Sequence, residues 1–352
     1  MPYIAAVSKI DFADQIDQQL VKEQARAMFS VDFPQVDRLI QAFDNTGIVT
    51  RNFVKPLSYY GETTTFEERN DEYIKWSLYY AARAVTEVID QSAINKADIT
   101  DILFISTTGL ATPSLDAQLI NELRLNPHIN RTPIWGLGCA GGVSGMAKAN
   151  VIAKANPDAV VLLLAVEMCS LTLIKNDYSK SNFIGSSLFS DGVAACIIKG
   201  DSHVQPGRQI NIQGSGSKLY YDSLEVMGWQ FQDKGFKVVF SKDIPTFIHE
   251  HIRLDIEVFL QKHQLDIADI RNFIFHPGGK KVLDAYVDAL PVEGDFLKNT
   301  GEIINNYGNM SSVTVLYVLE KFMAEGFEDG YGLMLAMGPG FSSEMVLLNI
   351  KN

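Results

Sequence analysis

The sequence is poor in cysteine and in positive charge. Three cysteines, Cys139, Cys169 and Cys196, are spread over 352 residues, which is too few and too scattered for a disulfide framework or a zinc site. The 42 acidic residues outnumber the 30 Lys and Arg residues, and a net charge of −12 disfavours nonspecific binding to nucleic acid or to an anionic membrane. We therefore expect a cytoplasmic protein with no metal and no nucleic-acid partner, in which any anionic ligand needs a local basic site.

Long hydrophobic runs are also missing. The longest run, residues 159–166, spans eight residues, and the first ten residues contain only the short run 4–7. A membrane-spanning helix needs about 20 apolar residues, so the sequence predicts neither a membrane span nor a signal peptide. With 47% hydrophobic residues, a chain of this length can bury a large core, either as two domains or as one large double domain.

An internal repeat is the main feature of the chain as a whole. The tripeptide Ala-Asp-Ile precedes a strand-like apolar run at residues 97–99 and again at 268–270, 171 positions later. Two further strand-like runs keep the same offset, with Leu162 in the first and Leu333 in the second. Matches in the same order at one offset indicate a duplicated architecture.

Within each predicted half, short apolar strands alternate with amphipathic segments such as residues 71–90 and 244–263. This alternation predicts parallel sheets that are covered on both faces by helices. We place the join near residue 205, where Pro and Gly interrupt the apolar pattern. The prediction is therefore an α/β fold with an N-terminal half at residues 1–205 and a C-terminal half at residues 206–352.

Cys139, His276 and Asn309 are the strongest candidates for catalysis. Cys139 lies among small residues just before a helical pattern, where helix N–H groups can stabilise a thiolate. His276 follows an apolar strand, and Asn309 precedes a second helical stretch, 170 residues after Cys139. Because ligands bind beyond the carboxyl ends of parallel strands, two related halves can direct these side chains to one centre.

Two reaction classes use a Cys, His, Asn set. In a papain-like hydrolase the His deprotonates the Cys and the Asn orients the His, but the cysteine signature of that family is missing here. In an acyl-transfer enzyme the thiolate takes an acyl group from a thioester, and the His and Asn donate hydrogen bonds to the carbonyl of a second thioester. Decarboxylation of the second substrate then gives an enolate without a metal.

Five segments extend this set over most of the chain: residues 136–142 (GLGCAGG), 188–192 (LFSDG), 276–279 (HPGG), 308–312 (GNMSS) and 338–344 (GPGFSSE). In this order and spacing they resemble the chalcone synthase family, the type III polyketide synthases, and especially bacterial members that make long-chain alkylpyrones. The resemblance implies a thiolase-like fold of duplicated α-β-α-β-α layers and a homodimer. The implied reaction is the decarboxylative condensation of an acyl-CoA starter with malonyl-CoA.

The resemblance also implies roles for individual residues. Cys139 is the implied nucleophile, while His276 and Asn309 activate the thiolate and hold the malonyl thioester. The other implied substrate contacts are Phe189 between the CoA tunnel and the cavity, Thr107 and Thr172 on the cavity wall, Thr112 reaching into the partner subunit, Gly338 and Pro339 in the cavity loop, and Val238, where plant members carry phenylalanine. A valine at that position leaves room for a long fatty acyl starter and therefore favours alkylpyrone products.

Binding of the CoA phosphates departs from the plant pattern. Of three basic residues that plant members use, only Arg38 is retained, because Gln41 and Asn45 occupy the other two positions. We therefore expect CoA contacts from Arg38, Gly279 and Lys281, with Arg51, Lys55 and Lys280 as further basic candidates. The CoA thioesters are substrates, and no cofactor or metal is implied.

Two other functions remain open. A ketoacyl-synthase III shares the fold and the Cys, His, Asn set but performs one condensation in fatty-acid initiation, usually with His-Gln-Ala-Asn in place of the HPGG at residues 276–279. A non-catalytic homologue would only bind acyl-CoA. The intact Cys139, His276 and Asn309 set favours an enzyme.

Overall fold

The computed structural model describes residues 1–30, 36–203, 207–241 and 243–351. The strands are β1 Tyr3–Lys9, β2 Gln15–Asp17, β3 Thr50–Asn52, β4 Asp101–Ile105, β5 Asn130–Ile134, β6 Val160–Met168, β7 Asp191–Lys199, β8 Gln209–Leu219, β9 Met227–Gln232, β10 Gly235–Phe240, β11 Ile270–Phe275, β12 Gly330–Gly338 and β13 Ser342–Lys351. The helices are α1 Gln18–Ser30, α2 Val36–Ile40, α3 Leu57–Tyr60, α4 Phe66–Ser92, α5 Leu115–Leu123, α6 Gly141–Ala155, α7 Lys180–Leu188, α8 Ile244–Gln261, α9 Lys280–Ala289, α10 Lys298–Tyr307 and α11 Thr314–Glu325.

Nine strands form one mixed sheet in the order β11-β12-β13-β8-β1-β7-β6-β4-β5. Parallel pairing joins β4 to β5, β4 to β6 and β11 to β12, whereas the remaining pairs of this sheet are antiparallel. The prediction of wholly parallel sheets is therefore wrong. A strand that is buried on both faces is apolar whichever way its neighbour runs, so its composition does not reveal strand direction.

The internal repeat is confirmed by the strand register. In the first half β4 pairs with β6 so that Ile102 lies opposite Leu162. In the second half β11 pairs with β12 so that Phe273 lies opposite Leu333. Both members of the second pair are 171 residues after their counterparts, which is the offset that the sequence predicted. Each parallel pair is also followed by an antiparallel neighbour, β7 in the first half and β13 in the second.

Three apolar cores produce the layered α-β-α-β-α arrangement. The central core joins α6 and α11 to strands of both halves and includes Met146, Leu163, Leu316 and Val346. Helix α11 is buried at every position from Thr314 to Leu319, as expected of a helix that is packed on all sides. The outer cores lie under α4 on one side and under α8 and α9 on the other.

The predicted join of the two halves at residues 205 and 206 lies outside the described residues. The boundary of the halves therefore stays a prediction. In the part of the chain that the structure describes, no helix has the length and hydropathy needed to cross a membrane.

Candidate active site

Cys139 lies in a single 3-10 turn directly before α6. The glycines around it allow close packing of the backbone. A Cβ atom on Gly142 would lie 2.3 Å from the carbonyl oxygen of Ser312, and a Cβ on Gly138, whose φ is +48°, would lie 2.8 Å from the Pro339 ring. These contacts require residues without side chains, and they bring Cys139 next to the turn that follows Asn309.

Asn309 is fixed by hydrogen bonds at both ends of its side chain. Its Oδ1 atom accepts from the backbone N–H of Ser311 at 2.8 Å, and its Nδ2 atom donates to the carbonyl of Gly278 at 2.9 Å. Gly278 belongs to the turn that follows His276. An amide nitrogen carries two donors, and the Asn309 amide also hydrogen-bonds with the Cys139 thiol.

His276 is held by its backbone and has a free ring. Its N–H donates to the carbonyl of Leu335 at 2.8 Å, while neither ring nitrogen has a hydrogen-bond partner among the described residues. The side chain is only 3% exposed. A buried polar group without a partner is uncommon in folded proteins. Here it indicates that a bound ligand supplies the hydrogen-bond partner of the ring.

The three predicted catalytic residues line one cavity of about 280 Å³, which we call the entrance cavity. Gly279 and Lys281, the predicted CoA contacts, also line it, as does the further candidate Lys280. Lys180, which was not given a site role, lines the same cavity, and both Lys180 and Lys280 are exposed to solvent. The sequence alone did not point to Lys180, because a lysine at a helix start has no distinguishing pattern.

The electrostatic environment favours the neutral forms of Cys139 and His276. Burial raises the pKa of the Cys139 thiol to about 12, against a smaller lowering by hydrogen bonds with Ser311 and Asn309. Burial lowers the pKa of the His276 imidazole to about 3. The pair is therefore a thiol and a neutral imidazole in this structure, and forming the nucleophile requires transfer of the thiol proton.

Glu167 is a buried carboxyl group that sequence reasoning missed. It accepts hydrogen bonds from the Thr107 N–H at 3.0 Å, the Thr108 hydroxyl at 2.9 Å and the Ser312 hydroxyl at 2.6 Å, and burial raises its pKa to about 7. A single acidic residue directly after the apolar run 159–166 was the available signal. Through these bonds Glu167 fixes the turns on both sides of Cys139.

Two smaller apolar cavities lie beyond Cys139. The first, of about 30 Å³, is lined by Cys139, Pro339, Phe189, Val238 and others. The second, of about 60 Å³, is the inner cavity, and it shares Cys169, Phe189, Trp229 and Val238 with the first. The predicted wall residue Thr172 also lines the inner cavity.

Cys169 lies in a 3-10 turn just after β6, where it lines both small cavities. Burial raises the pKa of its thiol well above the usual range, so it remains a thiol. Cys196 does lie within a strand, β7.

Four other predicted residues lie outside the cavity walls described above. Thr107 is buried and accepts a hydrogen bond from the Gly138 N–H at 3.2 Å, and Gly338 packs so closely that a Cβ would lie 2.4 Å from the Leu137 carbonyl. Arg38 is exposed on α2, and Thr112 is exposed beside Pro113. The substrate roles of these residues stay predictions.

Comparisons with known proteins show the family of this chain. Residues 54–202 match the model of the N-terminal domain of chalcone and stilbene synthases, and residues 212–351 match that of the C-terminal domain. A Bacillus subtilis (strain 168) protein, provisionally named a chalcone synthase, is 42% identical over 99% of both chains. The 1,3,6,8-tetrahydroxynaphthalene synthase of Streptomyces peucetius subsp. caesius is 35% identical over 90% of this chain and 85% of its own.

A solved structure extends the comparison to the fold. The crystal structure of 1,3,6,8-tetrahydroxynaphthalene synthase from Streptomyces coelicolor A3(2), a bacterial type III polyketide synthase, superposes with a TM-score of 0.91 at 28% identity. The match covers 100% of this chain and 98% of that chain. The thiolase-like fold expected from the sequence is therefore confirmed.

Proposed function

The chain belongs to the chalcone and stilbene synthase family, and we propose that it extends a long-chain fatty acyl-CoA starter with malonyl-CoA to alkylpyrone-type products. As a member of the type III polyketide synthases it is an acyl-transferring, condensing enzyme that uses CoA thioesters and no metal cofactor. The observation that carries the proposal is the shared cavity of Cys139, His276 and Asn309. A nucleophile and two hydrogen-bond donors that serve one reaction must face the same space.

Acyl transfer is the first proposed step. The imidazole of His276 accepts the proton of Cys139 as the sulfur attacks the starter carbonyl. The C–S bond of the starter breaks, the acyl group stays on Cys139, and the released CoA thiolate takes the proton from the imidazolium. Because burial keeps the thiol and the imidazole neutral, the proton moves only when the carbonyl is in place.

Condensation is the second proposed step. Malonyl-CoA loses CO₂, and the electron pair of the broken C–C bond forms an enolate whose oxygen accepts hydrogen bonds from a ring N–H of His276 and from Asn309 Nδ2. Donors that are already oriented stabilise such a charge without reorganisation. The enolate carbon then attacks the acyl group on Cys139. This attack forms a β-ketoacyl-CoA and releases the Cys139 thiolate.

The apolar side chains around the cavities beyond Cys139 favour an apolar starter. Val238, only 8% exposed, lines both small cavities together with Phe189 and Trp229. Each CH₂ group that moves from water into such a wall contributes about 0.8 kcal/mol. We propose that the acyl tail passes Val238 toward the inner cavity, and that Phe189 orients malonyl-CoA at the boundary.

Lysines at the mouth of the entrance cavity are proposed to hold the CoA phosphates. Arg51 is only 1% exposed, and Lys55 forms a salt bridge with Glu72 at 3.0 Å, so neither is available. Lys180, Lys280 and Lys281 are exposed on this cavity and form no salt bridge within the described ranges. Arg38 stays a further proposed contact, because it lies on α2, next to the cavity residues Ala42 and Asn45 in sequence.

A homodimer in the cytoplasm completes the proposal. Strand β5 is at the edge of the sheet and is largely exposed, which leaves its outer hydrogen-bonding groups for a second copy. Thr112 is proposed to reach into the partner's cavity from this side.

The proposed location in the cytoplasm fits the cysteines. The three cysteines are free and buried, as is usual in a reducing compartment.

Mass spectrometry of the products tests the proposed function. The purified enzyme is incubated with malonyl-CoA and a panel of acyl-CoA starters from short to long. Pyrone masses that correspond to two or more condensations on long starters support the proposal. A single condensation indicates a ketoacyl-synthase III, and complete lack of turnover with binding of acyl-CoA indicates a non-catalytic protein.

A further inference from the structure

Arg51 is a cation inside the protein, on the wall of the inner cavity. It lies in β3 and is only 1% exposed, and burial lowers its pKa to about 9, against a smaller raising by Asp191. It therefore stays protonated at neutral pH. The rings of Phe53 and Phe43 lie 5.1 and 5.8 Å from its Cζ atom, which is within the range of cation–π attraction. A buried charge is costly unless it is compensated. The groups that compensate the Arg51 charge therefore matter for its role.

The guanidinium binds the end of α7. One nitrogen, Nη1, donates to the carbonyls of Ser186 and Phe189, both at 2.7 Å. Carbonyls at a helix C-terminus lack partners within the helix, and a positive charge there is favourable. Arg51 therefore fixes the last turn of α7 and the backbone of Phe189.

Helix α7 is the wall between the entrance cavity and the inner cavity. Ile184, Ser187 and Leu188 line the entrance cavity, whereas Gly185, Ser186 and Phe189 line the inner cavity. A shift of its C-terminal turn would therefore change both cavities at once.

The same turn holds the backbone of Asn309. The Asn309 N–H donates to the Leu188 carbonyl and the Ser190 N–H donates to the Asn309 carbonyl, both at 2.9 Å. The preceding residue, Gly308, lies directly on Arg51, since a Cβ at Gly308 would be 2.9 Å from Arg51 Cγ. Arg51 thus touches both segments that form this bridge.

We infer that Arg51 is a positioning residue that locks Phe189 and Asn309 in one arrangement, so that the malonyl group and the acyl tail are placed on the correct sides of α7. This role rests on the proposed function, because it assigns Asn309 to the malonyl thioester. Arg51 also lines the inner cavity, but its positioning role acts through two backbone carbonyls, those of Ser186 and Phe189.

Arg51→Met and Arg51→Lys test this role, with Arg253→Met as the matched control on the surface of α8, where Arg253 pairs with Glu257 at 2.9 Å. Two rates are measured on each protein: decarboxylation of malonyl-CoA, and alkylation of Cys139 by iodoacetamide. A displacement of about 1 Å can cost up to about 10²-fold in rate. We expect decarboxylation in Arg51→Met to fall by at least about tenfold relative to alkylation. Lysine lacks the planar fork of arginine, so Arg51→Lys should fall between Arg51→Met and the control.

The ratio of the two rates separates positioning from folding. A variant that is merely less stable loses both rates in proportion to its folded fraction, which circular dichroism measures. If Arg51→Met does not fold, Arg51→Lys carries the test. An unchanged ratio in the folded variants overturns the inference. If the unaltered enzyme does not decarboxylate malonyl-CoA, the proposed function fails. The crystal structure of Arg51→Lys then tests the positioning role by itself, and unmoved Phe189 and Asn309 would overturn it.

Discussion

The two cavities on either side of α7 are built from different kinds of side chain. The entrance cavity, of about 280 Å³, has exposed lysines at its mouth and His276 and Asn309 at its base. The inner cavity, of about 60 Å³, is walled mainly by apolar groups such as Trp229, Phe236 and Val238. An acyl-CoA has the same division, with an anionic head and an apolar tail. Cys139 lies where the proposed reaction needs it, between the two.

The largest effect is expected from Cys139→Ala, which removes the proposed nucleophile. Acylation by a labelled starter and product formation should both be abolished while the fold is kept. Digestion and mass spectrometry locate the label. Cys196→Ala is the matched control, because that thiol is fully buried in β7 and should be dispensable. A label found on Cys169, which lines the inner cavity, would mean that Cys139 is not the acyl carrier.

Asn309→Ala tests the proposed hydrogen-bond donor at the base of the entrance cavity. Loss of one oriented donor typically lowers a rate by about 10²- to 10³-fold, so malonyl-CoA decarboxylation should drop by that factor while Cys139 still accepts a starter. His276→Ala should impair both steps, because the imidazole also accepts the thiol proton. The two steps are measured separately by single-turnover acylation and by CO₂ release. Equal loss of acylation in both variants would contradict this division of roles.

Val238→Phe tests whether the acyl tail passes Val238 toward the inner cavity. A larger ring in a filled wall costs about 1 to 3 kcal/mol, which corresponds to a decrease of about 5- to 150-fold in kcat/KM. The decrease should fall on long acyl-CoA starters and spare short ones. Val151→Phe serves as the control, since Val151 is 62% exposed on α6. A preference for starter length that stays unchanged would mean that the tail runs elsewhere.

The smallest effect is expected from the lysines at the mouth of the entrance cavity. In Lys180→Gln and Lys280→Gln the KM for malonyl-CoA should rise by up to about fivefold each, because pairs between exposed charges contribute at most about 1 kcal/mol. Malonyl-pantetheine, which lacks the nucleotide phosphates, should be used equally well by both variants and by the unaltered enzyme. Lys262→Gln, at the end of α8, is the control. A rise in KM of equal size for both substrates would assign the lysines to something other than the phosphates.

Local sequence patterns identified the candidate catalytic residues that the structure brings to one cavity. Small residues around Cys139 specify a tight turn before a helix, and the strand followed by Pro-Gly-Gly places His276 at a sheet edge. Both depend on neighbours in the chain, so they can be read without a structure. The 171-residue offset found in the sequence recurs in the strand pairing, where Ile102 pairs with Leu162 and Phe273 with Leu333.

Only the tertiary structure decided which polar residues face which cavity. Arg51 is a basic residue near other basic residues in the sequence, and it was a candidate for the CoA phosphates. The fold instead buries it against carbonyls 135 and 138 residues further along the chain. Lys180 reaches the entrance cavity, and Glu167 bonds to Ser312 across 145 residues. The direction of the strands was also hidden, because apolar burial on both faces is the same for parallel and antiparallel neighbours. Turn geometry and periodicity are local properties of the chain, whereas the partner of a buried charge is set by packing between segments that are distant in sequence.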